Sequence, residues 1–338
     1  MASFPTTYQA LSQNKFTNKE ASIVPIRYQD RQLIMKWRNE QMYHLRQKTP
    51  LTEQNQEDYF KNVVSKLFSE NKPSQLLFSY LINDELAGYG GLVHIDWDAK
   101  KAEISFIMNT ELETEHFDFH WSTYLPLIEE VGFSELGFNT LFTYAYDLRP
   151  HLYKTLERNE YQLKSHLKNE IEIDGEMKDV LIHEKNNPVS LRLADSGDTD
   201  LLFHWSNDPL TRSQSYNDET ISLETHTTWF SGKLKNEDST IYILQHNDIP
   251  CGVVRFEKNE DHAVIGISVS PDYRGRRLAK PMLNLACSEY LLKNPIPIYA
   301  YIKTSNSASI KSFQRAKFSY NKEIEMHGSP SVLYIRNA

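Results

Sequence analysis

Two cysteines, Cys251 and Cys287, are all that 338 residues contain, and no Cys-x-x-Cys occurs. That scarcity argues against a disulfide framework and against a zinc site. Positive charge is also short. Lys and Arg number 37 against 45 Asp and Glu, a formal net charge of −8, which argues against the broad basic surfaces that bind nucleic acid or membranes. No run of about 18 apolar residues appears, and the opening MASFPTTYQALSQNKFTNKE has no apolar core of a signal peptide. These absences predict a reduced, cytoplasmic protein, and residues 1–20 read as a polar leader, either flexible or docked on the body. What is present is ordinary for a globular chain, 40% hydrophobic and 24% charged, and the length predicts about two domains.

The chain contains one pattern twice. "IRYQDRQLIMKWRNE" from Ile26 aligns with "LRLADSGDTDLLFHWSND" from Leu191, pairing Arg27 with Arg192, Trp37 with Trp205 and Asn39 with Asn207. "LTEQNQEDYF" (51–60) aligns with "ISLETHTTWF" (221–230), and "NDELAGYGGL" (83–92) with "NDIPCGVVRF" (247–256). "AEISFIMN" (102–109) aligns with "AVIGISVS" (263–270), and "TYAY" (143–146) with "IYAY" (298–301). Five blocks in one order predict two copies of a domain, at 21–186 and 187–338, joined near the polar "EKNNPVS". Each copy reads as strand, helices, hairpin, strand, loop, helix, strand, helix, a mixed α/β fold.

In the second copy a strand at 262–269 leads into "SPDYRGRRLAKPML" (270–283) and then a helix from about Leu278, with Pro281 tolerated in its first turn. Arg274, Arg276, Arg277 and Lys280 beside a helix start make an anion site, because unpaired amides and the dipole both favour phosphate. This segment resembles the acetyl-CoA pyrophosphate loop of the GNAT N-acetyltransferase superfamily, [Q/R]-x-x-G-x-[G/A]. Arg274 fills its first position and Ala279 its last, whereas Arg277 stands where the family has glycine. "NSASIKSFQRAKF" (306–318) resembles the family's closing motif, with Phe313 replacing a tyrosine that protonates the leaving thiolate and Lys317 replacing a glycine. The resemblance implies two tandem GNAT-like domains, each a mixed, mostly antiparallel sheet flanked by helices. It implies acetyl-CoA held by Ile267, Val269, Arg274, Gly275, Arg276, Arg277, Leu278, Ala279, Lys280, Asn306, Ser309 and Phe313.

The stretch from Leu191 to Leu234 is similar to GNAT enzymes acetylating the 4-amino group of nucleotide-linked amino sugars in nonulosonic acid pathways. That similarity implies an acceptor side of Trp205, Asn207, Asp208, Ser215, Tyr216, Asn217 and Trp229. Transfer needs a base for the amine proton and an acid for the thiolate; Glu257 and His226 are candidate bases, with Asp208 behind them, and Tyr299 and Tyr301 candidate acids. The family's thioester oxygen is bound by backbone N–H groups, here near Ile267 to Val269. A protein N-terminus or a polyamine is the alternative acceptor. A non-catalytic acyl-CoA sensor is the alternative from another class. The expected assembly is a monomer whose tandem copies mimic a dimer, or a homodimer.

The first copy has lost the basic loop. At the corresponding place it reads "TELETEHFDFHW" (110–121), with Glu111, Glu113, Glu115 and Asp118 and no glycine. Those carboxylates would repel a pyrophosphate. His94, Asp96, His116 and His120 match no metal spacing, and no metal is expected. The first copy reads as a degenerate partner that supports the second, shapes its acceptor pocket or binds another ligand.

Overall fold

The computed structural model describes residues 4–337 apart from 174. It divides between Asn187 and Pro188 into two compact units. None of the helices described is long and apolar enough to cross a membrane.

The first unit runs β1 (Phe16–Asn18), β2 (Ala21–Pro25), α1 (Arg31–Glu40) and α2 (Glu53–Tyr59), then a π-helical segment, Phe60–Val64, into α3 (Ser65–Leu67). There follow β3 (Leu76–Ile82), β4 (Glu85–Asp96), β5 (Lys101–Met108), α4 (Thr110–Glu115), α5 (Phe117–Glu129), β6 (Thr140–Tyr146), α6 (Pro150–Arg158), β7 (Gln162–Ile173) and β8 (Glu176–Asn186). The sheet order is β1-β2-β3-β4-β5-β6-β8-β7, and β5 with β6 is its parallel pair.

The second unit runs β9 (Val189–Leu193), α7 (Thr199–Asn207), α8 (Pro209–Gln214), α9 (Leu223–Lys235), β10 (Ser239–His246), β11 (Ile249–Lys258) and β12 (Ala263–Val269). It ends with α10 (Ala279–Lys293), β13 (Ile298–Lys303), α11 (Ser307–Arg315), β14 (Ser319–Met326) and β15 (Ser329–Arg336). The sheet order is β14-β15-β13-β12-β11-β10-β9, with β12 and β13 the parallel pair. Two cores cover its faces. Ile265, Met282, Ala286 and Tyr290 pack α10 on one side. Leu202, Trp205, Phe230 and Ile243 pack α7 and α9 on the other.

The repeated sequence blocks turn out to be scaffold. Both "ND" pairs sit at hairpin tips with left-handed backbone, Asn83 and Asp84 at φ 49° and 64°, Asn247 and Asp248 at 50° and 63°, as a twisted two-residue turn requires. Arg27 pairs with Asp30 at 2.7 Å and Arg192 with Asp198 at 2.6 Å, each fixing the chain where it enters the first helices. Asn39 bonds both the N–H and the C=O of Leu51, at 2.7 and 2.9 Å. Asn207 does the same to Ile221, at 2.8 and 3.0 Å. Trp37 and Trp205 are core residues.

A further repeated device closes α6 and α11. Lys317 (φ 65°) donates its N–H to Gln314 and Phe318 donates to Phe313. Glu160 (φ 67°) and Tyr161 bond Glu157 and Leu156 in the same way. This is a Schellman ending, usually made with glycine, so Lys317 keeps the conformation of the glycine it replaces.

One expectation changes. The ladders put Leu141 beside Ala102 and Ile298 beside Ala263, so Tyr144, not Tyr146, corresponds to Tyr301. The sequence alignment of "TYAY" with "IYAY" is two residues out of register. A shift of two keeps every side chain on its face, which is why the apolar pattern could not expose it. Of the leader's two readings, flexible or docked, the described residues from 4 on take the docked one and pack on the first unit, while residues 1–3 lie outside the described residues. Tyr8 is buried, stacks on Phe68 at 4.1 Å and donates to the Leu77 carbonyl at 2.9 Å, while Phe16 is buried in β1. Aromatic burial outweighs the polar composition of this segment.

Asn207→Ala removes both amide bonds to Ile221. It should lower unfolding stability by about 1–3 kcal/mol, measured by denaturant titration.

Candidate functional site

Strands β12 and β13 pair only at Ala263–Ile298 and Val264–Tyr299 and then diverge. From Ile265 onward the β12 backbone edge that faces β13 has no strand partner, which leaves N–H and C=O groups for a guest. This opening includes Ile267 and Val269, whose side chains pack toward α10.

At its end lies the basic loop. A 3₁₀ turn at Pro271–Tyr273 precedes it, and α10 begins at Ala279 with Leu278 as its N-cap. Gly275 has φ 78°, and a Cβ added there would meet nothing within 4 Å, so the loop crest is open. Arg277 has φ 59°. The residue that departs from the glycine-bearing motif therefore holds the left-handed backbone that glycine adopts without strain, at a cost of about 1–2 kcal/mol. Arg276 is exposed and lies over the Tyr273 ring at 4.6 Å. With the amides of the first α10 turn, where Lys280 also lies, this forms a surface that fits a pyrophosphate.

Arg274 points elsewhere. It donates to the Asp208 carboxylate and, at 2.9 Å, to Thr211 Oγ1. Its hydrogen bond holds Asp208 below the usual carboxylate range, against the opposing effect of burial. Asp208 also caps α8, accepting from the Thr211 N–H at 2.9 Å. At the other end of α8, Lys303 of β13 donates to the Ser213 and Ser215 carbonyls, at 3.2 and 2.6 Å. The short helix is thus fastened between the basic loop and the splayed strand, a position that roofs the opening.

Below that roof is a cationic face. Val253 packs with the α7 and α9 core, and Arg255, two residues on, shares its side of β11. The Arg255 guanidinium lies 5.8 Å from the Trp229 ring and crosses its ladder partner Gly266. A Cβ at Gly266 would come within 2.8 Å of Arg255 Nε. Arg255 has no hydrogen-bond or ion-pair partner among the described residues. Crowding by packed atoms pulls its pKa below the usual arginine range, with Glu257 working against this and Arg212 with it. The residue nevertheless remains exposed.

Arg212 bonds the Asn217 and Glu219 carbonyls and the Ser215 hydroxyl, but its Nε and the Gln214 Oε1 are buried without partners. Arg212 and Lys303 are ion-paired to no carboxylate among the described residues. Tyr216 donates to Ser331 Oγ at 2.9 Å, with the Lys303 ammonium 5.8 Å from its ring. Tyr301 is half-buried two residues beyond the last β12–β13 pair, and burial, with Tyr299 and Asp261 nearby, raises its pKa.

The residues named from sequence therefore divide. Tyr216, Tyr301, Trp229, Asp208 and Ser215 belong to this face or its roof. Glu257 shares the face of Arg255 but is bound by Lys233 at 2.6 Å. Asn217 is exposed and accepts from the Glu219 N–H. His226 is 2% exposed, among Phe203, Trp229 and Phe230, and burial lowers its pKa; it lies within the α7–α9 packing. Trp205 is core, and Asn207 is consumed by Ile221. Asn306 caps α11, accepting from the Ser309 N–H at 3.0 Å, and Phe313 is buried against Phe318. Both cysteines are buried, which pushes Cys251 up to about 11 and Cys287 to about 12, so neither offers a thiolate near neutral pH.

Sequence reading missed Arg255, Arg212 and Lys303. One signal for Arg255 was available: the repeat sets it opposite Gly91 and sets Gly266 opposite Ser105, so the crossing pair exists only in the second copy. In the first copy the acidic stretch folds as α4, capped by the Asn109 side chain. There Glu113 is ion-paired to Arg149 at 3.1 Å, with both side chains largely buried. No three His, Cys, Asp or Glu residues form a metal-sized group among the described residues.

Arg276→Ala should weaken acetyl-CoA binding by about tenfold or more in a calorimetric titration, the scale of a lost charge-assisted phosphate contact.

Two family models match the chain, both described as the acetyltransferase (GNAT) domain, one over residues 23–182 and the other over 189–319. A curated relative, the uncharacterized N-acetyltransferase YfmK of Bacillus subtilis (strain 168), is 27% identical over 118 residues, 35% of this chain and 76% of its own. Among solved structures, the aminoglycoside acetyltransferase AAC(6')-Ib with ribostamycin and coenzyme A aligns at 19% identity and TM-score 0.40, over 44% of this chain and 93% of its own. Spermidine N-acetyltransferase from Vibrio cholerae with CoA and spermine aligns at 16% identity and TM-score 0.45, over 50% and 97%. The two domain matches take in nearly all of 23–319, and the chain belongs to the GNAT superfamily: it is an N-acetyltransferase with acetyl-CoA as its cofactor and two copies of the domain in tandem.

Proposed function

We propose that the second unit acetylates the primary amine of a nucleotide-linked amino sugar by direct transfer within a ternary complex. The observation that carries this reading is the cationic face beside the β12–β13 opening. Arg255 has no partner among the described residues, and Arg212 and Lys303 hold no carboxylate. Three such cations, on this face and in its roof, suit an acceptor that brings its own negative charge, as a sugar–nucleotide diphosphate does. A polyamine would meet like charges there.

Bound acetyl-CoA supplies an activated thioester. Arg276 and the amides of the first α10 turn hold the pyrophosphate, and the unpaired β12 edge from Ile267 to Val269 offers N–H groups where oxygen charge develops. Arg274 sets the α8 roof against this loop through Asp208, which couples donor and acceptor positions. Tyr301, kept protonated by burial, donates to the departing sulfur in place of the tyrosine that Phe313 replaces. Glu257 receives the amine proton through water. Much of the acceleration comes from positioning, since the acyl group arrives activated.

Thiol release measured with a nucleotide-linked 4-amino sugar, the free amino sugar, spermidine and an N-terminal peptide tests this reading. The nucleotide-linked sugar should be turned over fastest, and Arg255→Ala should cut its kcat/KM by about 10- to 100-fold while barely changing the free sugar. Faster turnover of spermidine or the peptide overturns the acceptor assignment. Acetyl-CoA binding without turnover of any amine would instead mark a sensor.

A further inference from the structure

The first unit has its own opening. Strands β5 and β6 pair only at Lys101–Thr140, Ala102–Leu141 and Glu103–Phe142 before they diverge. In the gap lies a cavity of about 200 Å³. Part of its wall is apolar: Val93, Ile104, Phe106, Ile107 and Leu152.

Two polar groups in that wall are orphaned. Trp121 and Thr143 both line the cavity and are each 3% exposed, and neither Trp121 Nε1 nor Thr143 Oγ1 has a hydrogen-bond partner. Buried polar atoms are almost always satisfied in native proteins, so two in one small cavity point to a guest. Three arginines also line it. Arg46 is bound to Glu103, and Arg149, just beyond β6, to Glu113. Arg38 bonds the neutral groups of Gln47 and Tyr89. Burial and the neighbouring Arg149 hold His44 neutral, down to about 3. Three cations thus face two carboxylates, leaving an excess of positive charge.

We propose that this cavity binds a small organic carboxylate with an apolar body, about the size of an amino acid. The carboxylate accepts from the Trp121 indole N–H and the Thr143 hydroxyl, with Arg38 supplying the balancing charge, and the carbon skeleton lies against Phe106 and Ile107. A cavity of 200 Å³ is smaller than the ~300–1,000 Å³ of sites for drug-sized ligands. The adjoining α4, with Glu111, Glu113 and Glu115, opposes a pyrophosphate, so the site differs in kind from the second unit's cofactor opening. This inference is independent of the acceptor assignment.

Calorimetry on the full-length chain, with butyrate, isovalerate and L-leucine as probes and inorganic phosphate and acetyl-CoA as the other arms, tests the proposal. At least one carboxylate should bind saturably, and Thr143→Val and Trp121→Phe should each weaken it by about tenfold or more. Thr143→Val should leave the ligand-free melting temperature unchanged or raised, because it removes an unsatisfied hydroxyl, so loss of binding cannot be ascribed to misfolding. Saturable binding by none of the three carboxylates overturns the proposal, as does binding that both variants leave intact. Phosphate binding as tightly as the carboxylates overturns the apolar-body reading. So does an acetyl-CoA site that Thr143→Val abolishes.

Discussion

Both units are organised by one constraint: a pair of parallel strands that stays together for two or three residues and then parts. Antiparallel neighbours hold the outer sides of the pair in register, so parting is confined to the inner edges. Those edges carry backbone groups that cannot be left empty and dry. In the second unit β12 and β13 open toward the basic loop at 274–280. In the first, β5 and β6 open toward an acidic helix whose Glu113 is bound to Arg149. The architecture supplies two openings, and they differ in the charge of the segment beside them, basic in the second unit and acidic in the first.

Residues shared by the copies and residues that differ do different work. Arg27 with Arg192, Asn39 with Asn207, Trp37 with Trp205 and the two "ND" turns serve chain entry, loop clamping, core and hairpin reversal. The differences collect around the second opening: Arg276 for a glutamate-rich helix, and Arg255 crossing Gly266 where the first copy has Gly91 and Ser105. A guanidinium can lie across β12 only because no Cβ occupies position 266. Tethering α8 at both ends, by Arg274 and by Lys303, then fixes it between the basic loop and the splayed strand.

Much of this was legible in the sequence. Alternating apolar residues, the paired turns and the strand–loop–helix order gave the fold and the two-copy organisation. The basic loop was readable too, because charge at a helix start has a direct physical meaning. Backbone conformation was not. Arg277 and Lys317 read as departures from glycine, yet both keep a left-handed backbone, and no side-chain letter announces that. Trp205 and Asn207 read as acceptor contacts through the resemblance to sugar-directed enzymes, yet both recur in the first copy, and recurrence here marks scaffold. His226 read as a base, and its burial follows from which face of α9 meets α7, which a low-amphipathicity helix leaves open. Arg255 went unnoticed as a single charge in a strand, since its meaning depends on the cross-strand glycine.

The central claim is that one opening of the two takes acetyl-CoA. Counting acetyl-CoA sites on the full-length chain by calorimetry tests it most directly. The account predicts a stoichiometry of one cofactor per chain. Two sites of comparable affinity would contradict it, because the acidic helix of the first copy would then be no bar to the cofactor.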